Sequence, residues 1–266
     1  MDFRSLERGA WTDPAVAGAY AETWGPAVQK AGVAVARSTD VASGLSVLDV
    51  ACGPGTVTSA CREVGARVVA IDLSGAMLRL LVARFPDVPV GRASAEHLPF
   101  RDASFDRVLC NLGLLHFPSP EAALAEGRRV LRPGGRGAWS VWGADAELMQ
   151  LVPDALDELD LHPQLPEAPG FFRFSDPKIF SDALRAAGLD PEPTVRVEYR
   201  VSLPSADVFW KMVYDGSART RAALRTLTPE QAAEVRRVVG EYLEDYRSTK
   251  GFAVPTSVVI GTASRG

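Results

Sequence analysis

From residue 45 onward the chain alternates short apolar runs with longer segments whose apolar positions recur at helical spacing. Leu45–Ala51 reads as a buried strand and Thr56–Val64 as a helix. Arg67–Asp72 reads as a second strand, followed by a helix over Ser74–Phe85 with Ser74 placed to cap it. A short third strand is expected over Val88–Gly91 and a fourth over Phe105–Asn111. Pro120–Leu131 reads as a helix stopped by Arg132-Pro133-Gly134-Gly135, and Arg136–Trp142 as a fifth strand. Strand–helix alternation at this pitch predicts an α/β fold, a parallel sheet with helices on both faces.

The alternation breaks on either side of this region. Residues 14–37 are rich in alanine and valine and predict one or two helices ended by Ser43-Gly44. Gly143–Ser175 is proline-rich, acidic and partly helical, which suits a covering insertion better than sheet. Asp176–Ala187 resumes as a helix before Gly188, and Thr194–Leu203 alternates as a strand. Ala206–Arg247 reads as helical, with Val235, Val238, Val239, Tyr242 and Tyr246 on one face, and Pro255–Ala263 supplies a last strand. The expected architecture is a single Rossmann-like domain with a seven-stranded, mostly parallel sheet. Around it stand an N-terminal helical cap (1–44), a core (45–142), a lid insertion (143–175) and a C-terminal part (176–266) holding a helical insertion (204–249).

Composition changes this picture little. The 266 residues are 47% hydrophobic and 23% charged, the make-up of an ordinary globular protein. A formal net charge of −4 offers no basic footprint for nucleic acid or an anionic membrane, so a small-molecule substrate is the expected partner. Cys52, Cys61 and Cys110 are scattered and odd in number, without metal-ligand spacing, so no metal is expected. The early residues MDFRSLERGAW carry charges where a leader would be apolar, and a cytoplasmic monomer or homodimer is expected.

The chemistry centres on LDVACGPGTVT, residues 48–58. In an open α/β sheet the first strand-to-helix turn borders the ligand crevice. Gly53 and Gly55 let the backbone turn sharply and let a ligand approach closely, and Pro54 stiffens the turn. A dinucleotide site has GxGxxG, and here the third glycine position is Thr58, which counts against NAD. Asp49 has two readings, orienting a ligand or accepting N–H groups of the loop.

LDVACGPGTVT resembles the first motif of class I S-adenosylmethionine-dependent methyltransferases, an acid followed by spaced glycines, with Ala51 where the family has its first glycine. The resemblance continues in order through VVAIDLSGAML, SAEHLPFRDASFDRVLCNLGLLHF and LRPGGRGAWSVW. It is strong over residues 45–142, looser beyond, and nearest the ubiquinone/menaquinone-biosynthesis-like branch. It implies the cofactor S-adenosyl-L-methionine, with S-adenosyl-L-homocysteine as product. The implied cofactor contacts begin with Asp49, Ala51, Gly53 and Gly55 at the turn. Asp72, Leu73 and Met77 follow, with the Asp72 carboxylate on the ribose hydroxyls. Ser94, Ala95 and Glu96 form the adenine segment, where the family usually has Asp-Ala in place of Ser94-Ala95. Asn111 ends the fourth strand and is placed for the methionine ammonium.

His116 follows the fourth strand and is the candidate general base; His97 and His162 lie farther from that turn. Tyr20 and Trp24 resemble the family's segment that closes over the cofactor. With Trp142, Phe171, Phe172 and His116 they are the candidate substrate contacts. Trp210 and Tyr214, one turn apart, read as core. The implied function is methyl transfer to an O, N or C atom of a small molecule. Two alternatives remain: a cofactor-binding protein of this fold that catalyses a cyclisation or decarboxylation, or one that only senses the cofactor.

Overall fold

The computed structural model describes residues 2–266. Strands β1 (Ser46–Val50), β2 (Arg67–Asp72), β3 (Val90–Arg92), β4 (Phe105–Cys110) and β5 (Leu131–Trp142) form a parallel sheet in the order β3-β2-β1-β4-β5. Beyond β5 lies β9 (Gly251–Ser264), antiparallel to it. The far edge of β9 carries β7 (Val195–Leu203) and the two-residue pieces β6 (Asp190–Pro191) and β8 (Arg247–Ser248). The seven expected strands are therefore the seven principal ones.

Side chains alternate across the strands, as the two-residue period demands. Val47, Ala70, Leu109 and Ala138 join one core, while Leu48, Ile71, Val108 and Trp139 join the other. The first core is covered by α2 (Pro14–Ala27), α3 (Gln29–Ser38), α4 (Thr56–Glu63) and α7 (Glu147–Glu158), among others. The second is covered by α6 (Pro120–Val130) and α8 (Pro177–Ala186). Burial on both faces explains why these strands read as near-continuous apolar runs.

The first residues, within the expected helical cap, form α1 (Phe3–Thr12). Asp2 caps it by accepting from the Ser5 N–H at 2.8 Å, and Phe3 and Leu6 are buried. The segment read as helical over 206–247 consists of α9 (Ala206–Trp210), a π-helical turn (Lys211–Asp215), α10 (Arg219–Leu224) and α11 (Pro229–Glu244). Gly216 interrupts the run, and Thr228 opens α11 with a capping box closed by Gln231. Val235, Val238 and Val239 are buried, whereas the Tyr242 and Tyr246 hydroxyls reach Glu158 and Glu147 on α7. Trp210 is buried as expected. Among the described residues no helix is long and apolar enough to cross a membrane.

Candidate functional site

Strand order reverses at β1, which has β2 on one side and β4 on the other, so the crevice opens at the carboxyl ends of these three strands. A cavity of about 250 Å³ lies there. Ala51 and Gly53 from the first turn line it, as do Asp72, Leu73 and Met77 after β2. Ser94, Ala95, Glu96 and Asn111 complete the set from the later turns. Nine of the eleven residues expected to contact a cofactor are thus gathered around one space.

Asp49 and Gly55 are not among them. Asp49 is 1% exposed and turned toward α4, where its Oδ2 accepts from the Thr58 N–H at 2.9 Å and the Thr58 hydroxyl at 2.6 Å. Of its two readings, the loop-bracing one is what this structure contains. Thr58, the residue that spoils a dinucleotide motif, is here the partner of the first acid. Gly55 has φ +93°, and a Cβ there would meet Phe85 at 3.1 Å and Leu81 at 3.3 Å. It faces the core and sets the turn from behind the cavity.

Burial pushes the Asp49 carboxyl up to about 7, against the lowering pull of the Thr58 hydrogen bonds. An unfolded aspartate titrates near 4, so between about pH 4 and about pH 7 the folded state binds more protons and stability falls as pH rises. An asparagine in its place would keep an acceptor for Thr58 and have nothing to ionise. The stability advantage of Asp49→Asn over the parent should therefore grow between about pH 5 and about pH 8, as read by urea denaturation at each pH.

Ala51 occupies the first glycine position of the motif and has φ +53°, a conformation strained for a residue with a Cβ. Ala51→Gly is expected to raise stability by up to about 1 kcal/mol in the same assay, with the turn unchanged.

Asp72 closes β2. Its Oδ2 accepts from the Gly53 N–H at 2.9 Å and its Oδ1 from the Ser74 N–H at 2.8 Å. Burial raises its pKa, opposed by these bonds and by His116. Each oxygen has two acceptor positions, so each can accept once more from a ligand in the cavity. Ser94 accepts from the Glu96 N–H at 3.2 Å, and Glu96 pairs with Arg4 at 2.9 Å and accepts from the Ser119 N–H at 2.7 Å. Asn111 accepts from the Ser140 hydroxyl at 2.8 Å.

Helix α1 supplies a further part of the wall. Arg4, Glu7, Arg8 and Trp11 all line the cavity. Glu7 is 3% exposed, and its Oε2 lies 2.9 Å from His116 Nδ1 and accepts from Trp11 Nε1 at 2.7 Å. With Nδ1–H donated to the carboxylate, the lone pair of the imidazole resides on Nε2. The Trp11 ring stands edge-on to both His116, at 5.0 Å, and Tyr20, at 5.4 Å. Only the spacing of Phe3, Leu6 and Ala10 behind Asp2 hinted at this helix, and nothing local hinted at the pairing of Glu7 with His116.

A second, smaller cavity adjoins the first, and Trp11, Tyr20, Leu112 and His116 line both. Trp24, Trp142 and Phe171 line the smaller one, along with Leu115, Leu148, Val152 and Val213. Trp24 is fixed by its Nε1–H donated to the Met212 carbonyl at 2.8 Å. Phe172 lines neither cavity; it packs edge-on against Phe171 at 4.9 Å and braces it. His162 is exposed beside Asp160, and His97 lines neither cavity.

Residues 48–138 match a family model described as a methyltransferase domain. Over 93 residues the chain is 44% identical to a demethylmenaquinone methyltransferase of Renibacterium salmoninarum, a match covering 35% of this chain and 39% of that protein. The chain thus matches less than half the length of that relative. A Haemonchus contortus phosphoethanolamine N-methyltransferase solved with S-adenosyl-L-methionine superposes with a TM-score of 0.59 at 16% identity, covering 100% of this chain and 60% of that one. The cyclase SpnF superposes with a TM-score of 0.57 at 19% identity, covering 91% and 83%. Those two structures share the fold. The ordered motifs, the strand order and the family match converge: residues 48–138 are similar to a methyltransferase domain, within a sheet of the fold those structures share.

Proposed function

We propose that the chain transfers a methyl group from S-adenosyl-L-methionine to an oxygen atom of an apolar small molecule. The observation that carries this reading is the meeting of the two cavities at Trp11, Tyr20, Leu112 and His116. One space has the cofactor-type lining and the other is aromatic, with a histidine at their junction.

The residues of the larger cavity suit the cofactor. Asp72 keeps one acceptor position on each oxygen for a pair of ribose hydroxyls. Leu73 and Met77 offer apolar contacts beside it. Ser94, Ala95 and Glu96 would hold the adenine base, and Asn111 the amino acid end. When bound, S-adenosyl-L-methionine supplies a methyl group on a positively charged sulfur, a good leaving group. The protein then has to align the acceptor and keep water away.

His116 Nε2 would take the proton of an acceptor hydroxyl, freeing the oxygen to accept the methyl group that bound S-adenosyl-L-methionine would supply. Glu7, the positioning residue, holds the ring and stabilises its positive charge. Trp11 and Tyr20 wall off the junction. The covering segments, α7 and the π turn with α10, select the acceptor.

The test is incubation with methyl-labelled S-adenosyl-L-methionine and a panel of apolar hydroxylated compounds. Label in the acceptor with matching S-adenosyl-L-homocysteine supports the reading. Acceptor converted without S-adenosyl-L-homocysteine would favour the non-methylating alternative.

A further inference from the structure

Arg219 opens α10 and lines the smaller cavity. Its guanidinium lies 5.7 Å from the Phe3 ring centroid and 5.5 Å from that of Phe171. Its Nη1 is buried and has no hydrogen-bond partner. Neighbouring Arg173 pairs with Glu121 at 2.6 Å, and Arg221 sits 3.6 Å from Asp13 although its Nε is buried without a partner. Among the described residues no carboxylate lies within ion-pair distance of Arg219. Burial lowers its pKa, with Glu7 acting in the opposite sense.

An arginine stays charged in proteins; Arg219 is partly exposed, but its buried Nη1 has no acceptor, and leaving a buried donor of a charged group unpaired is costly. Its own cavity offers no remedy, because the remaining walls are mostly Trp24, Leu115, Trp142, Val152, Phe171 and Val213. Such a site is poorly matched to a wholly neutral acceptor. A carboxylate brought in on an apolar body would satisfy Nη1, and the ring or chain behind it would fill the aromatic walls.

We propose that the acceptor is an apolar, hydroxylated carboxylic acid whose carboxylate is held by Arg219 while its hydroxyl lies at His116. The proposal rests on the methyl-transfer reading for the role of the hydroxyl, but the recognition of the carboxylate can be measured alone.

The experiment titrates benzoate, 4-hydroxybenzoate and 3-phenylpropanoate, each against its methyl ester, into protein saturated with S-adenosyl-L-homocysteine. Tryptophan fluorescence reports binding, since Trp11, Trp24 and Trp142 line the cavity. The acids should bind at least about tenfold tighter than the esters, the size of one charge-assisted hydrogen bond. Arg219→Met should erase that preference while leaving S-adenosyl-L-homocysteine affinity unchanged, and Arg219→Lys should restore part of it.

Equal binding of acid and ester overturns the proposal, as does binding of neither by protein that holds S-adenosyl-L-homocysteine. So does an Arg219→Met variant that loses thermal stability yet keeps the selectivity, which would assign the guanidinium to Glu7. If S-adenosyl-L-homocysteine itself fails to bind, the methyl-transfer reading fails. The acid–ester comparison in the free protein then still decides the role of Arg219.

Discussion

Asp72→Ala should weaken S-adenosyl-L-homocysteine binding by about a hundredfold. The carboxylate ends β2 at the rim of the larger cavity, and each oxygen is already oriented by one backbone N–H. Two further hydrogen bonds to an ionised group would contribute about 1.5–3 kcal/mol each, less what water gives the free ligand. About 3 kcal/mol corresponds to roughly two decades in affinity. The same substitution releases the Gly53 and Ser74 N–H groups, so thermal stability must be read alongside. Asp72→Asn preserves the side-chain volume and keeps an acceptor for one of the Gly53 and Ser74 N–H groups, so it should lose less stability than Asp72→Ala. It should still bind much more weakly, because an amide offers one acceptor oxygen where the carboxylate offers two. Parent-like affinity in either variant would remove Asp72 from the cofactor site.

The second large effect is expected at the junction of the cavities. His116→Ala should lower kcat by about 10²–10⁴, the range associated with general-base catalysis. It should disturb S-adenosyl-L-homocysteine binding far less than Asp72→Ala does. Glu7→Gln keeps a side chain of the same size beside Trp11 and His116 and removes the counter-charge of the imidazolium. A smaller fall in kcat is expected, of about tenfold, with KM for the acceptor little changed. A purely structural role for Glu7 would lower the stability and leave kcat of the folded protein where it was. Unchanged kcat in His116→Ala would show that the acceptor needs no base, as with an amine or an acidic carbon.

Most of the frame around this site was legible from local pattern. The apolar runs of β1, β2 and β4 are buried on both faces, and their alternation between the two cores follows from the pleat alone. Ser74 caps its helix as read, and Gly53 and Asp72 line the expected cavity, while Gly55 sets the turn from behind it. What escaped was decided by distant partners. Glu7 is a carboxylate in a charged stretch, and its burial depends on His116, 109 residues away. Arg4 likewise meets Glu96 across 92 residues. A helical cap was expected here, but the charges of Arg4, Glu7 and Arg8 did not show that Phe3 and Leu6 of α1 face inward.

The two readings of Asp49 could not be separated from spacing, because a carboxylate serves either. In this structure its Oδ2 is taken by the Thr58 hydroxyl and N–H. Similarly, helical periodicity across 206–247 hid the π-helical turn. Its neighbour Gly216 has Trp24 and Tyr20 so close that a Cβ would lie 3.1 and 3.2 Å from them. That packing, which brings α10 over the smaller cavity, is a tertiary constraint with no local signature.

The central claim is that the cavity beyond β1, β2 and β4 holds S-adenosyl-L-methionine. The most direct measurement is isothermal titration of S-adenosyl-L-homocysteine into protein verified free of carried-over ligand. The account predicts one site per chain with micromolar affinity, lost in Asp72→Asn. An absence of binding by folded protein would contradict it, and the methyl-transfer reading would fall with it.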